Sequence, residues 1–216
     1  MSEWSRAWAH LLLAGVYLAG LALGALFFVA LERVCGARWS RTWRGVPVAF
    51  ASLLPIAAVL VMLALLARPI LAPWTTVSSD THGWMSPTWL VLRTAVYFGL
   101  WGAFLRTLVR NHDRALGAPT HARWAGAFLV VFAPTVWLAA GDWLMSLLPD
   151  WTSTIYGVYV FAGFVASALA AMLLVAVWRQ RRPTGGPAPS TDQVRDLALL
   201  LFGFSSLWMY LWYCQY

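Results

Sequence analysis

Apolar residues fall into six long blocks separated by short polar segments: Ala9–Leu31, Val46–Ala67, Thr88–Leu105, Trp124–Leu147, Ile155–Trp178 and Leu197–Tyr216. These blocks are apolar nearly all round, unlike the one-sided stripe of a soluble surface helix. At ~1.5 Å of rise per residue, ~20 apolar residues cross a ~30 Å hydrocarbon core. Inside lipid the backbone must satisfy its own polar groups, and a helix does so within one segment. The ~10-residue alternating segments of a transmembrane barrel do not occur. The pattern predicts an all-α, polytopic transmembrane bundle of about six helices, forming one transmembrane domain over residues 1–216.

Composition strengthens this reading. The chain is 61% hydrophobic and 11% charged, against ~25% charged in a soluble domain. Membrane lipid is therefore the first partner. The net charge of +7 could suggest nucleic acid, but the charges are in the wrong places for it. All fifteen basic residues are Arg, and twelve of them cluster in three segments: Arg33, Arg38, Arg41 and Arg44; Arg106, Arg110, Arg114 and Arg123; Arg179, Arg181, Arg182 and Arg195. The segments between them, 68–87 and 148–154, hold one Arg in all. Positive charge of this kind orients membrane proteins. The Arg-rich loops are predicted to be cytoplasmic and both termini outside, which in a bacterial inner membrane is the periplasmic side. No nucleic-acid partner is expected.

Within this frame, residues 183–190 (Pro-Thr-Gly-Gly-Pro-Ala-Pro-Ser) read as a flexible cytoplasmic connector. Pro55 and Pro134 lie inside spans and are expected to kink them. Gly20 and Gly24 form a ridge that lets a neighbouring helix approach. Cys35 and Cys214 fall at opposite faces and in no CxxC or CxxCH pattern, so neither a disulfide, a zinc site nor covalent haem is predicted. No metal ligands are assigned.

Ionisable groups at membrane depth carry the candidate chemistry. Arg93 lies five residues into the third span and Asp142 five residues before the end of the fourth. Both are ~7–8 Å below the same membrane face, where each can neutralise the other. One reading is a pin between two helices; the other is a proton acceptor or quinol contact. His10, near the same face on the first span, could shuttle a proton or simply lie at the interface. His82, His112 and His121 fall in loops, so no paired axial ligands for a b-type haem exist within the spans. The chain has 15 Trp, many near span ends, as an aromatic belt requires.

The most distinctive stretch is Asp142-Trp143-Leu144-Met145-Ser146-Leu147-Leu148-Pro149-Asp150-Trp151-Thr152-Ser153-Thr154-Ile155-Tyr156-Gly157. It reads as a tight turn between spans four and five, with Pro149 ending the first helix and aromatic rings crowded around one carboxylate. The pattern resembles the quinol:cytochrome c oxidoreductase membrane subunit of alternative complex III, of the second quinone-binding type, related to the NrfD-like polysulfide-reductase membrane proteins. Gly36-Ala37-Arg38-Trp39 is similar to a family turn, as is the run Asp196-Leu197, Leu200-Leu201-Phe202, Trp208, Tyr210 and Gln215. Only the Asp142–Gly157 motif is specific.

The resemblance implies a respiratory subunit without a redox cofactor of its own, working beside a multihaem cytochrome, an iron–sulfur protein and a second NrfD-like subunit. It implies contact with quinol or menaquinol. Asp142, with Arg93 and His10, becomes the candidate for proton handling, and Trp143 and Tyr156 the candidates for quinol contact. Family members continue beyond this length, so this chain reads as the N-terminal part of a larger bundle. A pure scaffold subunit and, further off, a secondary transporter are the alternatives; a transporter favours charges near the midplane, and here they lie near one face.

Overall fold

The computed structural model describes residues 3–37, 43–71, 86–110, 119–148, 150–181 and 188–215. Among the described residues seven α-helices follow in order: α1 (Glu3–Val34), α2 (Gly45–Ala51), α3 (Leu54–Leu71), α4 (Pro87–Arg110), α5 (Pro119–Trp143), α6 (Tyr156–Arg181) and α7 (Thr191–Tyr213). Six spans, with α2 and α3 acting as one, are long and apolar enough to cross a membrane. The chain is a multi-pass membrane protein with an all-α bundle.

α1 and α7 overrun their apolar blocks at the ends where caps, not hydropathy, set the boundary. At α1 the Ala37 N–H donates to Glu32 O (2.8 Å) and the Gly36 N–H to Arg33 O (3.3 Å), while Gly36 takes φ +63°. This is the glycine-ended termination that satisfies the last carbonyls. At α7 the Ser190 side chain accepts from the Gln193 N–H and the Gln193 side chain from the Ser190 N–H, a reciprocal capping box. The end of the predicted connector is thereby held: Pro189 is buried and its carbonyl accepts from Gln180 Nε2 at 2.9 Å. Residues 182–187 lie outside the described residues.

The second span is interrupted, not merely kinked. Ser52 and Leu53 separate α2 from α3, and Leu53 N–H turns to Phe50 O at 3.1 Å. Pro55 cannot donate to the carbonyl of Ala51, four residues back, and its ring crowds that carbonyl. The Ser52 hydroxyl bonds Ala49 O at 2.7 Å. By contrast α5 runs through Pro134 without a break. The fourth span also ends earlier than its apolar block: α geometry stops at Trp143 and a single tighter turn, Met145–Leu147, follows. Pro149 lies outside the described residues.

α1 is the central helix, packed against α3, α5 and α6, with α4 between α3 and α5 and α7 resting on α6. The glycine ridge explains the α1–α6 contact. A Cβ on Gly24 would lie 2.5 Å from Phe164 O, and one on Gly20 2.5 Å from the Phe164 ring. Without a hydrophobic drive between helices in lipid, such close backbone approach is what holds them together. Gly157 plays the same part for α5, where a Cβ would meet Trp137 at 2.0 Å. α7 buries only Leu197 and Leu211.

The two ends of the bundle differ. At one end Trp8 Nε1 donates to Ala64 O at 2.7 Å, joining the start of α1 to the end of α3. At the other, Arg33 Nη2 donates to Leu108 O, joining the ends of α1 and α4. The described arginines of all three clusters belong to this second, Arg-rich end.

Candidate functional site

α4 turns one face to α5, with Leu90, Thr94, Tyr97, Trp101 and Leu108 all buried. Their three- and four-residue spacing is that of one helical stripe. Arg93 sits on its edge. From α5, Asp142 in the last turn points into the same interface and is 2% exposed. Arg93 Nε donates to Asp142 Oδ2 at 3.0 Å and Nη2 to Oδ1 at 2.7 Å. This fork-to-carboxylate arrangement fixes both groups in orientation as well as charge. Tyr97, one turn along from Arg93, adds a third donor: its hydroxyl bonds Oδ2 at 3.0 Å.

A second layer lies directly inward. Trp143 Nε1 donates to Thr94 Oγ1 at 3.0 Å and Trp101 Nε1 to Thr135 Oγ1 at 2.9 Å. The rings of Phe98 and Trp143 are stacked at 5.5 Å, and Trp101 meets Trp143 edge-on at 6.0 Å. Aromatic contacts at these separations are favourable, and the indoles close the ion pair off from the bundle centre.

A third helix reaches the same cluster. Arg68, in the last turn of α3, is 4% exposed. Its Nη1 donates to Ser146 Oγ at 3.1 Å and its Nη2 to Ser146 O at 3.0 Å. Ser146 Oγ in turn donates to Asp142 O at 2.6 Å. A guanidinium thus caps the carbonyl end of α5, where positive charge is favoured, and also lies within electrostatic reach of Asp142.

No family model matches the chain, and no curated protein matches it.

Of the residues singled out in the sequence, the structure brings Arg93 and Asp142 into direct contact. His10 is exposed on α1 and takes no part in the cluster. Trp143 is 1% exposed and faces α4, so its ring is sealed behind the ion pair. Tyr156 belongs to another feature, a run of rings Trp151–Tyr156–Tyr159–Trp208 from the turn before α6 to α7, with centroids 5.2, 6.0 and 5.4 Å apart. Arg68, Tyr97 and Ser146 were not identified as site residues from sequence. A signal existed for Arg68: it is the single arginine in segments otherwise cleared of positive charge.

Proposed function

We propose that this chain is a membrane subunit of a bacterial respiratory quinol:electron-acceptor oxidoreductase of the alternative complex III type. It carries no redox cofactor of its own, and its Arg-rich end faces the cytoplasm. The partners are a multihaem cytochrome, an iron–sulfur protein and a second NrfD-like subunit. The observation that carries the reading is the Asp142 carboxylate, buried near one membrane face within the motif that resembles that family.

In this reading Arg93 holds the Asp142 carboxyl in a fixed orientation. A carboxylate has about four acceptor positions, and Arg93 and Tyr97 supply three donors among the described residues. Oδ1 can take one more, such as a quinol hydroxyl. Tyr97 is the second oxygen able to receive or pass a proton. Further in, Trp101 and Trp143 offer indole N–H groups, which donate but do not accept. Proton exchange is therefore assigned to the near membrane face and not to a path across the bundle.

The same geometry favours a second reading, a scaffold, because Arg68, Arg93 and Tyr97 pin three helices through Asp142 and Ser146. Asp142→Asn separates the two. In the assembled complex, a quinol role predicts normal assembly and a fall in quinol oxidation of roughly 10²-fold or more. A scaffold predicts poorer assembly and unchanged turnover per assembled complex. Full assembly with full turnover would remove Asp142 from both.

A further inference from the structure

α7 is the least enclosed of the six spans. Only 11% of its most apolar stretch is buried, against 28% for α4, the next least buried. Leu197 and Leu211 are its buried residues, and on the same side the Trp208 ring lies over Gly163 and stacks on Tyr159 of α6. The opposite side carries Asp196, Leu199, Gly203, Ser206, Tyr210 and Tyr213, at the three- and four-residue spacing of one helical face. All six are exposed. This face differs in chemistry from the outward face of α3, where the exposed stripe Ile56, Val59, Leu63 and Leu66 is aliphatic throughout, as contact with lipid tails allows. At the centre of the α7 face stands Gly203, with nothing within 4 Å of where a Cβ would lie. Beside it the Ser206 hydroxyl makes no hydrogen bond among the described residues. In hydrocarbon an unmet hydroxyl is costly, and small and hydroxyl-bearing residues are the ones that membrane helices turn toward one another. The face also begins on charge. Asp192 and Asp196 share Arg195, at 3.3 and 3.6 Å, and all three are exposed, so two acids stand against one arginine in the first turns of α7.

We infer that this face of α7 receives a transmembrane helix of a different protein chain, one that carries a basic side chain at the Arg-rich end. The incoming cation balances the second acid of the Asp192–Arg195–Asp196 cluster. Gly203 lets the two backbones approach, and a polar group of the incoming helix meets the Ser206 hydroxyl. A second copy of this chain fits the face poorly. Two copies related by a two-fold axis would set the face against itself, bringing Asp192, Asp196 and Arg195 of both together, four acids against two arginines. The inference uses neither Asp142 nor its motif and so stands apart from the respiratory reading.

The test is carbene footprinting with a lipid-soluble diazirine, read by peptide mass spectrometry. It is applied to the full-length chain in its native membrane and to the same chain purified alone into lipid nanodiscs. In the native membrane residues 199–213 should lose most of the labelling they take up in nanodiscs, while residues 56–66 on α3 label alike in both. Asp196→Arg turns two acids and one arginine into one acid and two arginines, and should restore the labelling of residues 199–213 in the native membrane. Nanodiscs holding one copy and two copies should label alike. Equal labelling of residues 199–213 in the native membrane and in nanodiscs would overturn the inference, since lipid would then cover the face. Protection that survives Asp196→Arg would overturn the basic partner, and protection in two-copy nanodiscs would replace it with a second copy of the chain. If Asp196→Arg fails to fold, Gly203→Leu, which fills the open approach, is read in its place by the same criteria.

Discussion

Arg93 and Asp142 meet across the α4–α5 interface through two hydrogen bonds, 3.0 and 2.7 Å long, with the carboxylate almost wholly buried. Such a pair is worth far less than the cost of breaking it on one side only. An uncompensated buried charge costs ~3–5 kcal/mol, whereas replacing both partners by apolar groups is often neutral. Arg93→Met should therefore sharply lower the unfolding temperature in detergent, and Arg93→Met combined with Asp142→Leu should regain most of the loss. Circular dichroism melts of both variants decide it. Equal losses in the single and double variants would show that the pair itself stabilises the bundle.

Arg68 acts on the backbone end of α5, not on a lone side chain. Removing it with Arg68→Met leaves Ser146 Oγ and O without their guanidinium donors in a buried setting, a cost of ~1–3 kcal/mol. The effect should be local. Amide exchange over residues 142–147 should speed up by roughly one to two powers of ten, while the α1–α6 interface keeps its protection. Uniform loss of protection would show that Arg68 supports the whole fold.

The spans were legible because length and hydropathy depend only on local sequence. The Arg93–Asp142 pair was legible because both groups are costly at the same depth. Arg68 was not, since it stands at the margin of a span and reads as a loop charge; its partner Ser146 is 78 residues away. His10 stands apart from the pair for a geometric reason. Ser5, Trp8, Leu12, Val16 and Ala19 mark the buried stripe of α1, and His10, two residues past Trp8, falls about 200° away from it. Counting depth alone shows its level in the helix; counting phase shows that it lies on the exposed face. The break at Ser52–Leu53 was read as a kink because sequence shows that Pro55 removes a bond but not where the chain re-forms its next one.

Glycines in this bundle should divide sharply by position. Gly24→Ala would press a methyl group against Phe164 O at 2.5 Å and Ala168 Cβ at 2.6 Å, so α1 and α6 must separate and the melting temperature must fall. Gly99→Ala meets nothing within 4 Å, and in a helix interior the exchange gains ~0.5–1 kcal/mol. The two substitutions are chemically identical, so opposite signs in the same melt assay isolate close packing as the cause. Matching signs would mean that the glycine ridge does not hold α1 to α6.

The proposed orientation can be read from the protein's own thiols. Cys35 follows α1 at the Arg-rich end, and Cys214 follows α7 at the opposite end; both are exposed and unbridged. If positive charge sets the topology, a membrane-impermeant maleimide applied to spheroplasts should label Cys214 and leave Cys35 untouched until the membrane is opened. Cys35→Ser and Cys214→Ser each leave one thiol, so the two signals are assigned without mapping. Labelling of Cys35 from outside would invert the bundle. It would also place the Arg93–Asp142 cluster at the cytoplasmic face, and a proton that Asp142 takes from quinol would then be released to the cytoplasm, opposite to what the quinol-oxidising reading requires.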